Sequence, residues 1–347
     1  MEGKTQQIGD NMNLAGELKK YSSISIVGSE KNTGKTVTLN YLIKILHDSK
    51  INIGVTSIGI DGESTDQVTK TKKPEIILGE GDFFATSEKH YKSKKITSEI
   101  FDISDENTSI GRVVTAKAKN SGKVIISGPQ NNLWIKKTID KMKKYGADTV
   151  LVDGAISRLS HASPAVTEAV VFSTGAAFSL SESEILKDTI HRINLSRLDK
   201  EYDFNDEENG VYIKTDEGII KTKIKSLLMY EDIDRYIEGK KDVKIYTTGA
   251  VTDSFLKHMT EKKYAENLTV VADDFTKFFI SPQIFNLFLK SKGKLRVLKS
   301  SKIIAVTVNP VSPSGYTINT EGIISKINNI FGIPVFDVMK EVSSYEL

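Results

Sequence analysis

The chain has 347 residues, 39% hydrophobic and 27% charged, with 48 basic against 45 acidic side chains and a formal net charge of +3. A balance so even offers no field to draw in nucleic acid or an anionic membrane, and the absence of cysteine removes disulfides, thiolate nucleophiles and cysteine-based zinc sites together. The length exceeds what one hydrophobic core usually serves, which predicts a large α/β domain plus a second unit.

Any transition-metal site would need histidine, and the five, at 47, 90, 161, 191 and 258, never fall at the close spacings that let two imidazoles face one ion. No apolar run of signal-peptide or membrane-spanning length occurs, so the expectation is a cytoplasmic protein with no membrane partner.

Residues 11 to 20 read as a short polar helix. Ile24, Ile26 and Val27 then form an apolar strand that runs into Gly28, and Val37, Leu39, Leu42, Ile43, Ile45 and Leu46 recur at helical spacing through TVTLNYLIKILHDS. Between them, at a strand-to-helix turn, lies GSEKNTGKT, residues 28 to 36. The usual phosphate-binding pattern is G-x-x-x-x-G-K-[ST]. Here five residues separate Gly28 from Gly34, so either Ser29 stands in for the first glycine or the loop is a longer variant. Such a loop works because successive backbone N–H groups and a helix N-terminus present partial positive charge to phosphate oxygens. The expected nucleotide-binding residues are Ser29, Glu30, Lys31, Asn32, Thr33, Gly34, Lys35, Thr36 and Val37. Gly34 permits close backbone approach, Lys35 supplies a point charge for the outer phosphates, and Thr36 offers its hydroxyl to Mg²⁺.

Strand and helix go on alternating. INIGVTSIGI, PEIIL, KVIISG and DTVLVDGA read as strands, and NLWIKKTIDKMKKYG as an amphipathic helix closed by Gly146 with lysines in its C-terminal half. EAVVFSTG and a helix over 182 to 197 continue the pattern. The predicted fold class is therefore α/β, a mostly parallel doubly wound sheet of the P-loop NTPase type. Past Leu198 the character changes: DKEYDFNDEENG is acidic, and VYIKTDEGIIKTKI signals a hairpin around Asp216, Glu217 and Gly218. VKIYTTGAVTDSFLKHM, LTVVADD, SPQIFNLFLKSKG and KIIAVTVNP then resume the alternation. The predicted organisation is a nucleotide-binding domain over 1–200, a linker or hairpin insertion over 201–240, and a C-terminal α/β unit over 241–347.

Asp153 closes an apolar strand at the carboxyl end of a parallel sheet, the edge where open α/β folds bind ligands, and an acid there can hold Mg²⁺ directly or through water. Asp61 and Glu63, in TSIGIDGE after the second strand, stand where Mg²⁺ or the attacking water would be held. Lys35, Asp61 and Asp153 are thus the expected catalytic residues, and Thr36, Asp61 and Asp153 the expected metal ligands. In DGAISRLSHASP, Arg158 reads either as a phosphate or substrate contact or as part of a polar loop, with Ser157, Ser160 and Ser163 as hydroxyl donors or, for Ser163, a helix cap. SGPQNN either lines the same crevice or starts a helix capped by Asn131 or Asn132. TTGAVTDSFL is a second anion-site candidate, and VNPVSPSGY a rigid loop with no assigned role.

GSEKNTGKT resembles the loops of dethiobiotin synthetase and the molybdopterin-guanine dinucleotide biosynthesis ATPases, members of the SIMIBI class of P-loop NTPases, which also place five residues between the first glycine and GKT. ADTVLVDGAISR resembles the DLVLVEGAGG strand of the synthetase, whose acidic residue faces the magnesium; the resemblance puts that role on Asp153. ParA and MinD relatives carry a signature lysine at the place that here holds Glu30, with Lys31 one position later, so the lysine that reaches across their dimer interface has no matching residue. Formation of a homodimer is left open. The synthetase's catalytic lysine near TSIGIDGE also has no counterpart, since no lysine occurs between Lys50 and Lys70. That argues against simple dethiobiotin synthesis.

KNTGKTVTLNYL, TSIGIDGE, VDGAISRLSHASP and VNPVSPSGY together resemble the ATPase subunit of lysine 5,6-aminomutase reactivase. The resemblance implies an accessory protein that uses ATP and Mg²⁺ and, alongside a second reactivase subunit, helps an adenosylcobalamin-dependent mutase exchange damaged cofactor. Nucleotide binding or hydrolysis would there bias a two-state element. Two alternatives stay open: an ATP-dependent small-molecule synthetase or kinase of the dethiobiotin synthetase type, and a non-hydrolysing nucleotide sensor or scaffold.

Overall fold

A computed structural model describes residues 14–59, 75–129, 131–154, 166–204 and 209–343. Within these the chain divides into two compact units, Met1–Leu186 with Ile303–Leu347, and Lys187–Lys302. The second unit is therefore an insertion, and the boundaries near 200 and 240 expected from composition do not coincide with it.

In the first unit, a helical stretch α1 (14–18) precedes β1 (Ser23–Gly28), α2 (Lys35–Asp48), β2 (Ile53–Ser57), β3 (Ile76–Leu78), β4 (Phe83–Ser87), α3 (Glu88–Ser93), β5 (Ser98–Thr108), β6 (Gly111–Ala118), β7 (Gly122–Val124), α4 (Asn132–Lys144), β8 (Thr149–Asp153), β9 (Ala169–Gly175) and the start of α5 (Glu182–Ser196). The chain returns after the insertion with β17 (Lys302–Asn309), α9 (Glu321–Phe331), β18 (Val335–Asp337) and α10 (Val338–Ser343). Nine of these strands form one sheet in the order β18-β17-β9-β1-β8-β2-β4-β6-β5. β9, β1, β8, β2 and β4 pair in parallel, as do β17 and β18, while β6 runs antiparallel to β4 and β5. The fold is thus α/β with a large mixed sheet of mostly parallel strands.

The interior strands are near-continuous apolar runs because both faces are covered. On one face, Leu39, Leu42, Ile43 and Leu46 of α2 pack with Ile24, Ile26, Val55 and Leu151; on the other, Ile135, Ile139 and Met142 of α4 pack with Phe83, Val150 and Val152. The alternation of Val150, Leu151 and Val152 between the two clusters is the period of two of a strand read directly. The opening helix is less polar in its setting than its sequence suggests: Leu14 and Leu18 are buried in the α2 cluster.

Three sequence expectations are revised. PEIIL and KVIISG supply β3 and β7, which pair with each other antiparallel, apart from the large sheet. The hairpin β5–β6 and strand β4, within a stretch given no element from sequence, extend that sheet. KIIAVTVNP and the strand near 335 join the first unit instead of a separate C-terminal unit.

The inserted unit contains β10 (Val211–Thr215), β11 (Gly218–Lys221), α6 (Asp234–Ile237), β12 (Val243–Thr247), β13 (Val251–Thr252), α7 (Asp253–Glu261), β14 (Leu268–Ala272), β15 (Phe278–Phe279), α8 (Pro282–Lys290) and β16 (Lys294–Val297). Its sheet has the order β11-β10-β12-β14-β16, with β12, β14 and β16 parallel. The expected hairpin is present: Thr215 faces Gly218 across a two-residue turn, and Gly218 takes φ 124. A side chain at that φ would be strained, so glycine is required.

Candidate functional site

β1 leads onward to β2 on one side of the sheet, and β8 leads to β9 on the other. Neighbouring strands β1 and β8 thus connect onward in opposite senses across the sheet, the strand-order arrangement that puts ligand crevices at the carboxyl edge of such sheets. GSEKNTGKT spans that edge.

Gly28 is the last residue of β1, in register with Ser173 of β9. Ser29 is buried; its N–H donates to the Ser173 carbonyl at 2.9 Å and its hydroxyl to Thr174 Oγ1 at 3.3 Å. Glu30 and Lys31 are exposed, and Asn32 takes φ 60, in the left-handed region that asparagine tolerates. Thr33 is fully buried and donates to the Glu30 carbonyl at 3.0 Å. Gly34, with φ 87, precedes α2. Lys35 folds back, and its ammonium donates to the same Glu30 carbonyl at 3.0 Å. A Cβ added at Gly28 would stand 2.4 Å from Thr33 Oγ1 and 3.1 Å from Lys35 Nζ. The loop therefore folds back closely over residue 28, where a side chain would collide with Thr33 and crowd the ammonium, so glycine is needed. Thr36 and Val37 are half-buried in the first turn of α2, which contains no acidic residue and no side-chain cap. No carboxylate of that turn competes with an anion for the positive end of the helix.

Asp153 is the last residue of β8, in register with Ile26 on one side and Ser57 on the other. It is half-buried, and its carbonyl accepts from Ile58 N–H at 3.0 Å. The structure thus brings Asp153 to the strand beside β1, at the same edge as Lys35 and Thr36. Asp61, Glu63, Ser157, Arg158, Ser160 and Ser163 lie outside the described residues.

SGPQNN combines both roles considered for it. Asn131 caps α4, accepting from Trp134 N–H at 2.8 Å. The preceding residues line the edge: Gly128 N–H donates to Gly59, Gly59 N–H donates to Pro129, and a Cβ at Gly128 would meet the Ser57 carbonyl at 1.8 Å. Buried Ser127 lies 2.8 Å from Nδ1 of His90, whose pKa is lowered by burial and by nearby Lys89. TTGAVTDSFL fits an anion poorly. β13 intervenes before α7, and Asp253 occupies the helix's first turn, where it accepts from Ser281 N–H at 2.7 Å.

Residues without an assigned role complete the loop's surroundings. Asn309, at the end of β17, donates from Nδ2 to the Asn32 carbonyl at 3.3 Å, and its Cβ lies 3.3 Å from where a Gly34 Cβ would be. Val338 lies 3.4 Å from the same point. The only local signal for Asn309 was its place in VNPVSPSGY.

Mg²⁺ is compatible with this setting. Among the described residues no group of three or more His, Asp or Glu could hold a metal ion, and Mg²⁺ with phosphates needs only one or two protein oxygens plus water. Thr36 and Asp153 are the oxygens at this edge that would serve. Among the same residues no helix is long and apolar enough to cross a membrane. No family model, curated protein or solved structure matches this chain.

Proposed function

We propose that this chain is a Mg²⁺-dependent ATP-binding protein of the P-loop NTPase type that hydrolyses ATP in the service of a protein partner. The observation that carries this reading is the loop between β1 and α2, which folds back over Gly28 with the Lys35 ammonium 3.0 Å from the Glu30 carbonyl. A lysine seated in the loop can donate to a phosphate oxygen, where both donor and acceptor carry charge and the bond is of the strong, charge-assisted kind. The loop N–H groups and the first turn of α2 would bind the β- and γ-phosphates, and Thr36 and Asp153 would hold the ion. Bound Mg²⁺ would neutralise charge on the transferred phosphoryl group. Asp61 retains its proposed role of orienting the attacking water.

The narrower reading takes the four resembling stretches together. The partner is then an adenosylcobalamin-dependent aminomutase, acting with a second reactivase subunit, and ATP turnover drives exchange of its damaged cofactor. Proximity of Asn309 to Asn32 supports it, because it joins VNPVSPSGY and KNTGKTVTLNYL, two of those stretches, at one site.

Calorimetry on Lys35→Ala tests the site. ATP affinity is expected to fall by at least about tenfold, the loss of one charge-assisted bond, with an unchanged circular dichroism spectrum. An unaltered dissociation constant would remove Lys35 from the proposal. ATPase activity that rises when the mutase is added supports the reactivase reading; release of ADP that depends on a small carboxylate substrate supports a synthetase.

A further inference from the structure

Thr38, Ser173 and Thr307 come from α2, β9 and β17, and all three are fully buried. Their hydroxyls form a closed triangle: Thr38 to Thr307 is 2.9 Å, Ser173 to Thr307 is 2.8 Å and Thr38 to Ser173 is 3.2 Å. Each hydroxyl can donate once and accept once around such a ring, so the network is satisfied internally. Three apolar side chains of similar shape would fill the same space without any polar burial. A satisfied polar network differs from them in tolerating one geometry only.

That geometry bears on the loop. Thr38 is the first α2 residue whose N–H finds a helical partner, the Gly34 carbonyl at 2.8 Å, and it lies one turn beyond Lys35. Ser173 touches the loop near its start and the helix that follows it: its carbonyl accepts from Ser29 N–H at 2.9 Å, and its hydroxyl reaches Thr38, two residues past the loop. Thr307 ties the same point to the strand that ends at Asn309, beside Asn32.

We infer that Thr38, Ser173 and Thr307 are positioning residues: the triangle fixes the axial and rotational setting of the first α2 turn on β9 and β17, and through it the place of the Lys35 ammonium. The nucleotide half of this inference rests on the function proposed above; the structural half does not.

The experiment compares wild type, Thr38→Val and Thr38→Ser by amide hydrogen exchange of residues 38–41 and by ATP calorimetry. Thr38→Val keeps the branched shape and loses the hydroxyl. Its amides in that stretch are expected to exchange about tenfold faster, the worth of one lost hydrogen bond, and its ATP affinity to fall by a similar factor. Thr38→Ser, which retains Oγ, should restore both. Unchanged exchange and unchanged affinity in a folded Thr38→Val protein would overturn the inference. Should wild type not bind ATP, the functional proposal fails, while the exchange measurement still decides whether the triangle sets the turn. If Thr38→Val does not fold, Ser173→Ala opens the triangle from the sheet and leaves the Ser29 bond to the Ser173 carbonyl intact; the same readouts apply.

Discussion

Asp153 illustrates how one residue's role depends on register. It faces Ile26 and Ser57 across two parallel pairings, which puts the residue at the end of the strand beside β1. Asp153→Asn is therefore expected to weaken ATP binding more with Mg²⁺ present than in EDTA, as read by calorimetry in both buffers. Equal losses would strip it of a metal role. At the far end of α2, His47 Nε2 lies 2.6 Å from buried Asp82. The hydrogen bond to Asp82 raises the His47 pKa against the opposing effect of burial. A folded pKa above the unfolded value means that this pair stabilises fully below about pH 6.5, the ordinary imidazole value, and that the contribution fades as pH rises through the folded pKa. The stability gap between wild type and His47→Gln, from urea midpoints, should be widest in mild acid and shrink toward alkaline pH. A gap independent of pH would mean that the charged pair contributes nothing. The places of Lys35 and Thr36 after the loop, and of Asp153 at the end of an apolar strand, were legible because each is set by its own chain neighbours. Asn309 was not: its contact with Asn32 joins residues 277 positions apart, and no local pattern encodes that meeting. The same holds for Thr307 with Thr38.

Elements show a similar split. The β1–loop–α2 unit could be read because apolar periodicity changes from strand to helix across GSEKNTGKT. The β5–β6 hairpin could not. β5 is an edge strand whose pairing slips between Ile100 and Asp102 and again between Ile103 and Asn107, so its residues follow no sustained period of two. Ile100 and Ile103 stay exposed, which erases the contrast that marks a half-buried strand. Backbone geometry at the start of α2 gives a further prediction. Gly34 holds φ 87, and an added Cβ would crowd Asn309 at 3.3 Å. Gly34→Ala is expected to cost about 1 to 2 kcal/mol, the penalty of a left-handed L-residue, visible as a lower urea midpoint. An unshifted midpoint would show that the loop relaxes away from this conformation freely.

At the scale of the whole molecule, an alternation of strands and helices tells that sheets form, but not which sheet a given strand joins. LTVVADD and KIIAVTVNP look alike in sequence; β14 lies in the inserted sheet and β17 in the large one. Composition marked the acidic stretch near 200, whereas the division itself falls within α5 at Leu186 and Lys187, in the middle of a regular helical pattern. The insertion is continuous in chain and has its own core, including Ile213, Ile245, Val270, Phe255 and Phe288. Residues 187–302 expressed alone are expected to melt cooperatively, followed by circular dichroism. In residues 1–302, which lack the buried Ile304, Val306 and Val308 of β17, only the transition of the insertion should remain. A second cooperative transition in 1–302 would show that β17 is dispensable for the first unit.

The late return of β17 sets an order on biosynthesis. A ribosome that has translated as far as Lys302 has long since released GSEKNTGKT, yet Asn309 and Val338, the groups that flank Gly34, are still unmade. The nascent polypeptide carries that loop unbuttressed for more than two hundred codons, until the residues beyond Lys302 are made.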